Sequence, residues 1–148
     1  MTRCPLLSGR QFPDAWRVGD LIFISGQVAL AEDGSVVGPG DIAVQTRVTW
    51  ENLRRILRRF GCDTDDLVKV NTYVVFNGSD TDFASFWARM DEARREFIAS
   101  PGPAATAVRV PGLALPGLLI EIDGIAAIGT KGDDDSQRAR MGPGTVSN

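Results

Sequence analysis

Trp16-Arg17-Val18-Gly19-Asp20-Leu21-Ile22-Phe23-Ile24-Ser25-Gly26-Gln27-Val28 is the stretch from which the fold is read. Leu21, Phe23 and Ser25 fall on one face of a strand, and Ile22, Ile24 and Gly26 on the other. Both faces are mostly apolar, which predicts burial on both sides. Gly19-Asp20 is a tight-turn signal joining Trp16–Val18 to this strand. Downstream, Asp33-Gly34 and Gly38-Pro39-Gly40 make residues 31–40 a loop, with Val36-Val37 as a short strand at most.

Asp41 is a plausible N-cap for the helix that follows. Val44, Val48, Leu53, Ile56, Leu57 and Phe60 recur at helical spacing and predict one buried stripe. Glu51 precedes Arg55 by four residues, the favourable order for a surface ion pair. Gly61 supplies a left-handed helix end. Leu67 to Phe76 alternates as a strand, with Val68, Val70, Thr72, Val74 and Phe76 on one side and Lys69, Asn71, Tyr73 and Val75 on the other. Thr81 to Phe97 reads as a second helix whose inner side carries Phe83, Phe86, Trp87, Met90, Ala93, Arg94 and Phe97. Ser100-Pro101-Gly102-Pro103 breaks the chain. Strands are predicted at Ala104–Val110 and Gly117–Ile128, with a turn between them.

The order strand, strand, helix, strand, helix, strand, strand predicts an α+β layer: one sheet with two helices on one face. The other face needs a cover, and in a chain of 148 residues a second copy of itself is the simplest one. Residues 1–128 are expected to form a single domain. Residues 129–148 hold the Asp133-Asp134-Asp135 run with Gly and Ser, and are expected to be a flexible polar tail.

Composition narrows the chemistry. There is no histidine, and 16 Lys+Arg against 19 Asp+Glu give a formal charge of −3. A Ser-His-Asp triad, a Cys-His pair and a His-ligated zinc are therefore excluded. Acid–base work falls to carboxylates, Lys, Tyr73, a cysteine, the backbone or water. Cys4 and Cys62 are too few for a cysteine zinc site and read as thiols of a reducing compartment. No apolar run is long enough to span a membrane, and the N-terminus lacks a signal-peptide core. The cytoplasm is the expected location. Arg54, Arg55, Arg58 and Arg59 form a basic helix face without interleaved aromatic residues. With the acidic balance, this argues against a nucleic-acid partner.

The last strand places Glu121 and Asp123 on one face and Leu118, Ile120, Ile122, Gly124 and Ala126 on the other. Two residues of strand rise put the two carboxylates about 7 Å apart. Two like charges in a partly desolvated site raise at least one proton affinity, which suits a carboxylate that holds or activates water. The same pair also reads as ordinary surface acids. Ser25-Gly26 could give a hydroxyl donor and a close backbone approach for a ligand, or simply a strand-end turn. Without a base beside it, Ser25 is a poor nucleophile.

Arg17-Val18-Gly19-Asp20-Leu21-Ile22-Phe23-Ile24-Ser25-Gly26-Gln27 resembles the opening strand pair of the RidA/YjgF family, also called endoribonuclease L-PSP-like. The likeness continues through Gly40-Asp41-Ile42, Gln45-Thr46-Arg47, Glu51-Asn52-Leu53, Leu67-Val68-Lys69-Val70, Thr72-Tyr73-Val74 and Asp82-Phe83-Ala84. It closes on Pro103-Ala104 and Leu119-Ile120-Glu121-Ile122-Asp123-Gly124-Ile125-Ala126. The resemblance covers Phe12 to Ile128. It implies a chorismate-mutase-like ββαβαββ fold, a homotrimer, and ligand sites in clefts between subunits. It also implies hydrolysis of reactive enamines and imines without metal or cofactor. In the family an arginine grips the substrate carboxylate and a glutamate near the end of the chain positions water.

Carried over by position, the glutamate is Glu121, and the serine and glycine are Ser25 and Gly26. The family's tyrosine falls on Phe12, its asparagine on Trp87 and its arginine on Ala105. Ala107 is counted with Ala105 among the substrate-binding positions. Alanine offers nothing in place of a guanidinium fork. Arg109 shares the strand face of Ala105 but lies about 13 Å along it. These departures suggest a cleft for an aromatic or conjugated small molecule, with Glu121 handling the proton. A metabolite-binding member without turnover is the alternative. Ribonuclease activity, which the older family name suggests, fits poorly with an acidic chain. Periodicity leaves open whether Trp87 faces the cleft or packs in the core.

Overall fold

The computed structural model describes residues 2–3 and 12–129. The expected tail therefore lies outside the described residues, apart from Gly129. The elements are β1 (Thr2–Arg3), β2 (Ala15–Val18), β3 (Leu21–Val28), α1 (Ile42–Arg58), β4 (Leu67–Val75), α2 (Asp80–Arg94), β5 (Ala104–Val110) and β6 (Ile120–Ala127). The predicted order holds, with β1 added in front. Two residues carry no periodicity, so β1 had no signal to read. Val36-Val37 reduces to one bridge between Leu30 and Val36.

The strands form one six-stranded sheet in the order β1-β2-β3-β6-β4-β5. The last strand is inserted in the middle, antiparallel to both β3 and β4. Strands β4 and β5 run parallel, joined through α2 as a crossover. The consequence for function is direct: whatever β6 presents is flanked on both sides by paired strands.

One sheet face is sealed. Ile22, Ile24, Leu67, Val70, Val74, Ile120, Ile122 and Ala126 are buried there in one cluster with Trp50, Leu53, Ile56 and Leu57 of α1. Helix α1 begins where expected: the Asp41 carboxylate accepts from the Ala43 and Val44 amides at 3.0 and 3.2 Å. Beyond its other end Gly61 has φ +74° and the Cys62 amide donates back to the Leu57 carbonyl. The buried stripe is wider than predicted. Gln45, Thr46, Thr49 and Trp50 are buried while Val44 and Val48 are only half-buried. The helix lies between the sheet and α2, so more than one of its sides is covered. Glu51 pairs with Arg54 rather than with Arg55, which is exposed.

Two bulges alter the expected alternation. In β4 the pairing slips between Leu67 and Lys69, so Leu67 is buried and Val68 is 42% exposed, not part of the inner row. In β3 the pairing slips between Ile24 and Gln27, so the phase changes at Ser25-Gly26. Ile22, Ile24 and then Gln27 face the core, and Gly26 moves to the side opposite its predicted one. The extra residue in a bulge reverses every later side chain.

Candidate functional site

The second sheet face has no cover among the described residues. Leu21 and Phe23 of β3 and Val108 of β5 lie on it, each more than 40% exposed (41%, 43% and 45%). Glu121 and Asp123 of β6 project from the same face. Opposite Glu121 stand Val28 on one neighbouring strand and Tyr73 on the other; Asn71 stands opposite Asp123. Directly opposed side chains in such pairs touch.

The two carboxylates are treated differently. Asp123 accepts a 2.8 Å hydrogen bond from Asn71 Nδ2. Glu121 has no hydrogen-bond or ion-pair partner among the described residues. Burial, and then the negative charge of Asp123, push the Glu121 carboxyl above its ordinary value. The Tyr73 hydroxyl is also pushed up, first by the charge of Asp123, then by burial. Glu121 is thus a half-buried carboxylate with no donor among the described residues, beside a carboxylate that Asn71 holds.

The β3 bulge makes room for it. A Cβ on Gly26 would sit 2.9 Å from Glu121 Cδ and would collide with Oε1. Only glycine lets this carboxylate lie across the bulge. Ser25 has a different task from the predicted one. Its Oγ donates to the Pro13 carbonyl at 2.7 Å, and its amide donates to the Asp14 carbonyl at 2.9 Å. The hydroxyl proton is committed to the Phe12–Asp14 segment, so toward a ligand Ser25 has only acceptor lone pairs. Buried Asp14 also meets Arg59 Nη1 at 3.5 Å. Phe12 is thereby anchored at its following residues while its own ring is 73% exposed.

The other candidates lie elsewhere in the subunit. Parallel pairing sets Ala105 against Val70, Ala107 against Thr72 and Arg109 against Val74. Ala105 and Ala107 therefore share the helix-side face of the sheet, opposite the face of Glu121. They are exposed there, although α2 reaches Arg109 farther along the same strand. Trp87 of α2 is half-buried against the core, its ring 5.9 Å from Phe83, so it packs and is still partly accessible. Arg109 does not stand in for the arginine that Ala105 replaces. Its guanidinium pairs with Asp80 at 2.8 Å, donates to the Phe76 carbonyl and lies 4.6 Å over the Phe83 ring. One subunit lays Glu121 against Gly26 in the bulge beside Ser25, and sets Ala105 and Ala107 on the opposite sheet face.

Asn71 and Gln45 were missed as contributors. The alternation of β4 had placed Asn71 and Tyr73 on one side, but only the register shows them opposite Asp123 and Glu121. Gln45 is buried, donates to the carbonyls of Gly38 and Gly117, and accepts from the Leu119 amide at 2.8 Å. It fixes the start of β6 to α1, two residues before Glu121. Three of the four arginines of the basic patch are held in ion pairs, Arg54 with Glu51, Arg58 with Asp63 and Arg59 with Asp14, and Arg55 stands exposed. Among the described residues no cluster of three or more Asp, Glu, Cys or His is arranged to hold a metal, and no helix is long and apolar enough to cross a membrane.

Comparison with known proteins gives a family match and whole-fold likenesses. The model of the family described as Endoribonuclease L-PSP matches residues 6–128. The fission yeast protein "mmf2, mitochondrial" (Schizosaccharomyces pombe) is 41% identical over 135 residues, covering 86% of this chain and 99% of that one. The "RutC family protein YjgH" of Escherichia coli is 35% identical over 126 residues, covering 85% and 89%. The crystal structure of RidA from the Antarctic bacterium Psychrobacter superposes with a TM-score of 0.68 at 26% identity, covering 85% of this chain and 94% of that one.

Proposed function

The chain belongs to the endoribonuclease L-PSP family, that is, the RidA/YjgF family, and from that premise we propose a hydrolase of the deaminase type. Its substrate is a small, aromatic or conjugated metabolite with a C=N or C–N bond, and Glu121 positions the attacking water. The observation that carries this reading is Glu121 itself. It has no partner among the described residues, is half-buried, and lies against Gly26 on an open face. A carboxylate in that state takes a proton readily and passes it on.

The steps balance with water alone. Glu121 removes a proton from water as the oxygen bonds to the imine carbon, and the C=N π electrons go to nitrogen. That proton passes to nitrogen to give a carbinolamine; Glu121 then takes the proton of the new hydroxyl and delivers it to nitrogen as the C=O bond forms and the C–N bond breaks, so that ammonia and a carbonyl compound leave. No cofactor enters these steps.

The proposal extends to the assembly. Glu121 and the Ala105–Ala107 pair occupy opposite faces of the sheet, which favours a cleft built from two subunits. Exposed Leu21, Phe23 and Val108 and the bare edge strand β5 offer the contact surface. A homotrimer with clefts between subunits satisfies both demands, with residues 1–128 as its domain and residues 129–148 as a polar appendage.

The substrate preference rests on Ala105, Phe12 and Trp87. A chain with alanine at position 105 has no fork there for a carboxylate, and two aromatic rings favour a flat apolar body. The test compares hydrolysis of amino-acid-derived imines with that of imines of aromatic amines lacking a carboxylate. The aromatic set should be hydrolysed faster, and Glu121→Gln should lose about 100-fold or more in rate. Equal rates on the two sets would remove the substrate reading, and full activity in Glu121→Gln would remove the mechanism. The loss of hydrogen-bonding groups at Phe12, Trp87 and Ala105 also favours a second reading, ligand binding without turnover. Calorimetry showing tight binding with no product formed would select it.

A further inference from the structure

We propose that Asp123, clamped by Asn71, is a positioning residue that makes Glu121 the proton-carrying member of the carboxylate pair. The inference rests on the proposed role of Glu121 and extends it to the neighbour that sets its behaviour. Three features of the geometry lead there.

First, the two side chains leave the same face of β6 two residues apart, so each feels the other's charge. Second, their surroundings are unequal. Asp123 is held by the 2.8 Å bond from Asn71, which stands opposite it in β4. Donors aimed at a carboxylate stabilise its charged form. Glu121 receives no donor among the described residues and lies over the Gly26 bulge. When one proton is available to the pair, Glu121 takes it. Unequal surroundings of this kind divide acid and base roles between two neighbouring carboxyls. Third, the one cation that β4 brings to this face is engaged elsewhere. On the neighbouring strands β4 contributes Lys69 and Tyr73 as titratable groups, whereas β3 contributes none, presenting Leu21, Phe23 and Val28 and the Ser25-Gly26 bulge. Lys69 Nζ bonds Thr106 Oγ1 of β5 at 2.7 Å and reaches the Val70 carbonyl. Asp123 has no ion-pair partner among the described residues, so its negative charge acts on Glu121.

The role differs from that of a packing residue, because it predicts a change in Glu121 while the fold stays intact. The experiment is a carboxyl ¹³C NMR titration of the full chain, read at Glu121, in the wild type, Asp123→Asn and Asn71→Ala. Asp123→Asn keeps the shape and removes the charge, so the Glu121 midpoint should fall by about one pH unit. In Asn71→Ala the clamp is gone and the proton is shared, so the Glu121 curve should broaden into two steps. The acidic limb of the pH profile of kcat/KM should move with the NMR midpoint in Asp123→Asn. An unchanged Glu121 midpoint in Asp123→Asn overturns the proposal, as does a wild-type curve in Asn71→Ala should Asp123→Asn not fold. The two readings fail separately. If Glu121→Gln keeps activity while Asp123→Asn still shifts Glu121, the catalytic role falls and the pairing stands.

Discussion

Ile120, Ile122 and Ala126 of β6 are sealed beneath α1, while Glu121 and Asp123 of the same strand look out from an uncovered face. Neighbours in sequence thus do unrelated work. On the covered side, side chains contribute by leaving water and by filling space. On the open side the side chains that matter are polar, and their contribution depends on which donor reaches which oxygen. Substitutions on the first side should be read in stability and those on the second in activity and pH dependence.

The harshest test of that division is Trp50→Ala. Trp50 is fully buried at the centre of the covered side, stacked 6.2 Å from Phe97. Its truncation should cost about 3–5 kcal/mol, read by urea unfolding. A cost near zero would mean that α1 is not what holds the sheet. Next comes Gly26→Ala on the open side. The new Cβ displaces the Glu121 carboxylate, so kcat/KM for imine hydrolysis should drop about 100-fold with a nearly unchanged unfolding midpoint. A matching loss of stability would break the comparison. Asp41→Ala belongs to the covered side again. It removes the acceptor for two amides and should cost about 1 kcal/mol, with activity retained.

The smallest effect carries a sign. Glu121 is held above its ordinary value of 4.5 by burial and by Asp123. The folded state therefore binds this proton more tightly than the unfolded chain does. Its contribution to stability is fully present below 4.5 and is lost as pH rises through the raised value. Glu121→Gln should accordingly be slightly more stable than the wild type at neutral pH. That gap should close on acidification through the same window. A gap that widens with acid would show that Glu121 is stabilised as the anion, and would undo the reading of the open face.

The element order was legible because it is written in periodicity. Ile22 and Ile24, the Asp41 cap, and the Ile120–Ala126 alternation all point to one sheet under two helices. Three things were not legible. The bulges at Val68 and at Ser25-Gly26 depend on how β3 and β4 pair with β6, and pairing is a long-range property that no local window contains. Trp50 escaped the predicted stripe because α2, itself placed by tertiary packing, covers a second side of α1. The site was half legible. Glu121 stood out through parity and resemblance, but its separation from Ala105 onto opposite faces required the sheet order. The true task of Ser25 required the Pro13 carbonyl, which nothing in the sequence ties to it.

Gly26 and Glu121 also constrain how such a sequence can drift. Position 26 tolerates no side chain while position 121 holds an extended carboxylate in the space above it. A mutation at either site therefore changes what the other will accept. Shortening position 121 would open position 26 to alanine or serine. A residue already larger than glycine at 26 would turn a returning glutamate at 121 into another rotamer, away from its place over the bulge. The two positions, remote in the chain, form one ratchet, and the order in which they change decides whether the path back stays open.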